Sequence, residues 1–233
     1  MNNNFTSWPL GQLPKHFQRP ELDQLRTLGY DWKDPRDVIQ MFERKVADFA
    51  GAKYGVAVDC DTHAIFLSLK CLNATGVITI PRHTYQSIPM YIKHAGCEVA
   101  FRDEQWSGMY QLEPYPIWDA AVRWRKGMYK GGLHVVSFQL KKRVPIGRGG
   151  MILLDDPEAY AWLQRARYDG RDLTKSQWED DTDICGWHMY MTPEDAARGI
   201  ILMDQIPDEN PDTATWENYA DQSQKKLFKR ISI

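Results

Sequence analysis

Residues 137–150 read SFQLKKRVPIGRGG, and the meaning of this stretch decides how the rest of the chain is read. Residues 133–138 before it are apolar and β-branched, which predicts a strand. Met151 and the three apolar residues that follow it predict another. Between them lie Lys141 and Lys142, then Gly147, Gly149 and Gly150. Glycines this close together let the backbone turn sharply or approach a ligand. A lysine at a strand end, backed by apolar residues, is where a desolvated amine can act as a nucleophile. On these residues alone the stretch reads first as a β-hairpin with a basic turn.

Outward from this stretch the chain alternates. Asp34-Pro35 marks a helix start, and Val38, Met41, Phe42, Val46 and Phe49 recur at helical spacing up to Gly51. Residues 53–58 predict a strand, 59–62 a turn, and 63–72 a helix. Strands follow at 77–80 and 98–101 with a helix at 86–94 between them. Asp156-Pro157 opens a helix to about 167. Thr192-Pro193 with Asp195 gives a capping-box-like start for another. This order predicts an α/β fold with three α/β/α layers and a mostly parallel sheet. Residues 1–34 read as an irregular arm with one short helix near 21–28, 35–206 as the α/β domain, and 207–233 as a polar tail or short helix.

The bulk properties exclude several classes. A net charge of −2 argues against a general nucleic-acid or membrane surface. No apolar run approaches a membrane span, and residues 1–17 lack a basic-then-apolar signal pattern. The four cysteines are scattered, without a CxxC pair, so reduced thiols and a cytoplasmic location are expected, with no metal site.

The spacing of Ser137-Phe138, Lys142 and Gly147-Arg148-Gly149-Gly150 resembles the active-site signature of the DegT-type (StrS-like) sugar aminotransferases, which are fold-type I enzymes using pyridoxal 5′-phosphate (PLP). Phe42-Glu43, Phe49-Ala50-Gly51-Ala52-Lys53-Tyr54, Thr62 with Ala64, Ile80-Pro81 with Thr84-Tyr85, Asp119 with Ala121, and residues 186–192 continue the likeness. It spans about residues 42–205. Against the family, roughly one βα unit is missing after Asp103, and the C-terminal small domain has no counterpart.

The resemblance implies roles. Lys142, rather than Lys141, would form the Schiff base with PLP. Strand alternation would turn the two lysines to opposite faces, leaving only one to meet the cofactor. Asp119 would face the pyridine nitrogen and keep it protonated. Thr62 and Ser137 would hold the phosphate at a helix N-terminus, with Asp61 and His63 on either side of Thr62 also at the cofactor. Tyr85 would stack on the ring. His188 would reach the phosphate of a neighbouring subunit, so a homodimer is expected, with Trp187 at the contact and residues 174–183 reaching over the partner. The implied reaction moves an amino group from glutamate or glutamine to a keto-sugar nucleotide. Another PLP reaction, such as amino acid decarboxylation, and a degenerate PLP-binding protein are the alternatives. Four departures bear on them: Asp61 replaces a glycine, Val122 a glutamine or histidine, His188 an asparagine and Tyr190 an arginine. Asp61 would either point away from the phosphate or force it to be held differently.

Overall fold

The computed structural model describes Pro14 and residues 18–229. The remainder of the expected arm and tail lies outside the described residues. The short helix of the arm is α1, Glu21–Thr27. Helix α2, Arg36–Ala50, buries Val38, Ile39, Phe42, Val46 and Ala50. It ends at Gly51, whose φ of 83° is left-handed backbone that glycine adopts without a Cβ penalty. Then come β1 (Tyr54–Val58), α3 (Asp61–Cys71), β2 (Val77–Pro81), α4 (Ser87–His94) and β3 (Glu98–Arg102). Helix α3 starts two residues before the expected position, so Asp61 and Thr62 are helical instead of lying in the turn. β4 (Tyr110–Gln111), β5 (Ile117–Asp119), β6 (Leu133–Ser137) and β7 (Gly150–Leu154) follow, then α5 (Pro157–Ala166) and α6 (Pro193–Met203). The caps of the last two helices are those the sequence indicates. Asp156 accepts from the backbone N–H of Glu158 and Ala159, and Thr192 accepts from that of Asp195.

The main sheet has the order β1-β7-β6-β5-β4, and β2 pairs with β3 beside it. Pairing is mixed. β5–β6 and β2–β3 are parallel, whereas β1–β7, β6–β7 and β4–β5 are antiparallel. A bridge between Thr79 and Glu113, also antiparallel, connects the two parts. It follows that β1, β2, β3, β5 and β6 share one direction and that β4 and β7 oppose them. The mostly parallel sheet is therefore present in strand direction, but β7 separates β1 from β6.

Helices cover both faces. On one side Val56, Val58, Val135, Ile152 and Leu154 pack with α3, α4 and α5. On the other Ala57, Val136, Met151 and Leu153 pack with α1, α2 and α6. Alternation along each strand divides the two cores. Each fully buried large apolar side chain stabilises by about 1.5–3 kcal/mol relative to exposure.

Two features replace what the expected fold lacks. No helix lies between Arg102 and Pro157 among the described residues, and the two-residue β4 fills the sheet edge beside β5. The segment after α6 crosses back over the sheet as a strap with 3-10 turns at Trp216–Asn218 and Gln222–Gln224. Asp212 accepts from Arg123 and Arg125, with the shortest bond 2.7 Å. Backbone bonds run from Thr213 to Val122 (2.9 Å), Trp216 to Trp106 (3.1 Å) and Gln222 to Arg82 (2.8 Å).

Candidate active site

A cavity of about 620 Å³ opens where the C-terminal ends of β5 and β6 meet the N-terminus of α3, within the range of small-molecule sites. Gly150 makes this junction possible. A Cβ there would stand 2.5 Å from the backbone nitrogen of Asp61, so only glycine lets β7 approach α3 so closely.

The cavity gathers Asp61, Thr62, Tyr85, Asp119, Ser137 and Lys142. The other two residues expected at the site lie elsewhere. His63 turns away, its Nδ1 2.5 Å from Asp59 and its Nε2 3.1 Å from the Tyr91 hydroxyl. The hydrogen bond with Asp59, aided by Cys60, raises its pKa to about 10, so this imidazole is cationic at neutral pH. Asp59, Cys60 and His63 cluster as metal ligands can. That arrangement does not suit a cation, because Arg148 also pairs with Asp59 at 2.7 Å. His188 is exposed, 2.8 Å from Asp169, in a shallow depression with Arg148, Tyr190 and Asp195. Trp187, expected at a subunit contact, turns inward in its own chain, edge-on to Phe66 with centroids 5.1 Å apart.

Both lysines line the cavity, contrary to the opposite-face expectation. β6 ends at Ser137, so Lys141 and Lys142 occupy a turn in which strand alternation no longer applies. The Lys142 backbone N–H bonds to the Gln139 carbonyl at 2.8 Å. Electrostatically Lys142 is the distinguished one, since its charge acts on both Asp61 and Asp119.

The carboxylates are the unusual part. Asp119 is 6% exposed. Its Oδ2 accepts from the Tyr110 hydroxyl at 2.5 Å and its Oδ1 from the Ala121 N–H at 3.0 Å. Burial pushes its pKa up, while these bonds and Lys142 oppose the rise. Asp61 has a buried Oδ1 without a hydrogen-bond partner. Burial and the neighbouring Asp119 charge push its carboxyl well above the ordinary range, with Lys142 pulling the other way. Asp61 therefore does not point away; it belongs to the floor of the cavity. Around it are neutral donors. Thr62 Oγ1 lies 2.8 Å from Ser87 Oγ, and Ser137 borders the same space. Tyr85 is 56% exposed at the rim.

Thr84, Trp106, Tyr110, Thr213, Asn218 and Tyr219 complete the wall. Sequence reading missed their role. Tyr110 sits on a strand too short to show alternation, and the strap carries no periodic pattern.

The pattern of the DegT/DnrJ/EryC1/StrS aminotransferase family matches residues 23–127 and 125–223. The spore coat polysaccharide biosynthesis protein SpsC of Bacillus subtilis (strain 168) is 25% identical over 236 aligned positions, which cover 78% of this chain and 60% of SpsC. The fold is similar to that of AtS13 from Actinomadura melliaura, with a TM-score of 0.67 at 20% identity over 79% of this chain and 64% of AtS13. It is likewise similar to the PLP-form of Spr1654 from Streptococcus pneumoniae, with a TM-score of 0.64 at 17% identity, 80% of this chain and 64% of that one. The chain thus spans about three fifths of the length of these proteins.

Proposed function

The chain belongs to the DegT/DnrJ/EryC1/StrS aminotransferase family, and from that premise we propose that it binds PLP and transfers an amino group from glutamate or glutamine to a keto-sugar nucleotide. The observation that carries this reading is the convergence of Lys142, Asp119, Thr62 and Ser137 on one cavity from four separate elements.

The cavity suits the cofactor. Thr62, Ser137 and the free first-turn N–H groups of α3 would hold the phosphate, and Lys141 and Arg148 add positive charge at the cavity wall. Asp61 fits only as a neutral acid, the state that its surroundings favour, in which it donates to an anion rather than repelling it. When bound, PLP supplies a ring that withdraws electrons from the amino donor's α-carbon.

The remaining work falls to the chain's own side chains. Lys142 would hold the cofactor covalently and carry a proton to and from the donor's α-carbon. Asp119 would hold a proton on the pyridine nitrogen. Tyr85 would cover one face of the ring. Val122 offers no polar group, and the hydroxyls of Thr213 and Tyr219 stand nearby on the strap. The working unit of this reading is a homodimer, in which His188 serves the neighbouring site. Residues 174–183, with Trp178 97% exposed, would lie over the partner.

Absorbance decides the matter. The purified protein mixed with PLP should develop a visible band. Glutamate or glutamine should bleach it and release a keto acid. Release of carbon dioxide and an amine would make it a decarboxylase. A stable band without bleaching would mark a binding protein without turnover, a reading that the buried Asp61 keeps open. No band at saturating PLP would overturn the proposal.

A further inference from the structure

The strand β4 stands where the resemblance leaves a βα unit missing, and its register sets Tyr110 opposite Asp119. The Tyr110 side chain, 3% exposed, gives its single proton to Asp119 Oδ2 at 2.5 Å. Tyr110 also hydrogen-bonds Thr84 Oγ1. A phenol has one proton to donate, so Thr84 must be the donor in that second bond. The backbone carbonyl of Thr84 in turn accepts from Gln222 Nε2 at 3.0 Å. Gln222 is buried on the strap, and its own N–H is fixed to the Arg82 carbonyl at 2.8 Å. The strap thus reaches the buried aspartate in steps: Gln222 fixes the Thr84 backbone, the Thr84 hydroxyl donates to Tyr110, and Tyr110 donates to Asp119.

We propose that Tyr110 is a positioning residue for Asp119, and that the strap sets it through Gln222 and Thr84. A hydrogen bond to the charged form favours that form. Tyr110 therefore opposes the burial that would neutralise Asp119. It also fixes the carboxylate's orientation, because Oδ1 is held by Ala121. The other titratable groups facing the cavity are Cys60 before α3, Asp61 on α3, Lys141, Lys142 and Arg148 on the lysine loop, Tyr85 before α4 and Tyr219 on the strap. None of these has a hydrogen bond to Asp119 in the structure, so the Tyr110 contribution is separable. The consequence of an ionised Asp119 for the pyridine nitrogen rests on the PLP reading; the steps from the strap to Asp119 do not.

The test is a carbon-13 NMR titration of the Asp119 carboxyl in the full-length protein, with Asp119→Asn identifying its resonance, before and after loading with PLP. In Tyr110→Phe the midpoint should move up by about one pH unit, the scale of one lost hydrogen bond to a charged group. Gln222→Ala should move it the same way by less. The double variant should match Tyr110→Phe alone, because the two act in series. Thr84→Ser, which keeps the hydroxyl, should titrate like the native protein, and Thr84→Val like Tyr110→Phe. If Tyr110→Phe does not fold, the Thr84 pair and Gln222→Ala decide. An unmoved midpoint in Tyr110→Phe or Thr84→Val, or additive shifts in the double variant, would overturn the proposal. Failure to take up PLP would count against the PLP reading alone, since the unloaded titration still reads the steps from the strap to Asp119.

Discussion

Asp61 and Asp119 share the floor of one cavity, and the charge of Asp119 makes Asp61 harder to ionise. Asp61 Oδ1 has no hydrogen-bond partner to offset its burial. In the unfolded chain this carboxyl titrates near 3.9. Folding raises its pKa, so the folded state is penalised once the pH exceeds the unfolded value. The penalty grows as pH rises and levels off above the raised folded pKa. Asp61→Asn should therefore stabilise the cofactor-free protein at pH 8 by about 1–3 kcal/mol, the scale on which one strongly shifted carboxyl changes stability through proton linkage. At pH 4 the gain should vanish. Thermal unfolding at the two pH values checks this; equal gains at both would show that ionisation is not the cause.

Glu43 tests the frame behind the site. It pairs with Arg167 where both are buried, and Glu43 Oε1 also accepts the Ala57 N–H at 2.7 Å. These bonds tie α2 and the end of α5 to β1. Glu43→Ala leaves a buried guanidinium unpaired, which costs about 3–5 kcal/mol. Urea denaturation should show that loss, whereas Lys45→Ala, whose partner Asp204 is exposed, should cost under about 1 kcal/mol. Equal effects would mean that the buried pair is not structural.

His188 tests the shared site. Being exposed, it can be replaced without unfolding the monomer. His188→Ala should weaken PLP retention. A mixture of His188→Ala and Lys142→Ala chains should recover about a quarter of native activity, since half the dimers then carry one intact site. Activity no higher than that of the two parents, or an active monomer in sedimentation, would place the whole site in one chain.

Much of the frame was legible because local chemistry sets it. Gly51, Asp156-Pro157 and Thr192 mark helix ends through bonds within a few residues. Asp61, Thr62, Tyr85, Asp119, Ser137 and Lys142 were named through the resemblance, and they line one cavity. What escaped reading depends on distant partners. Tyr110 matters only because β4 pairs with β5, and Gln222 only because the strap crosses the sheet. The lysines were misassigned to a strand because nothing in their sequence shows that pairing stops at Ser137. His63 was read as cofactor-binding with its neighbours Asp61 and Thr62, but a helix sends adjacent side chains in different directions, and Asp59 captured it.

The central claim is that Lys142 carries the cofactor. The most direct measurement is borohydride reduction of the PLP-loaded protein followed by peptide mapping. The label should fall on Lys142, survive in Lys141→Ala and disappear in Lys142→Ala. Label on Lys141, or label that persists in Lys142→Ala, would contradict it.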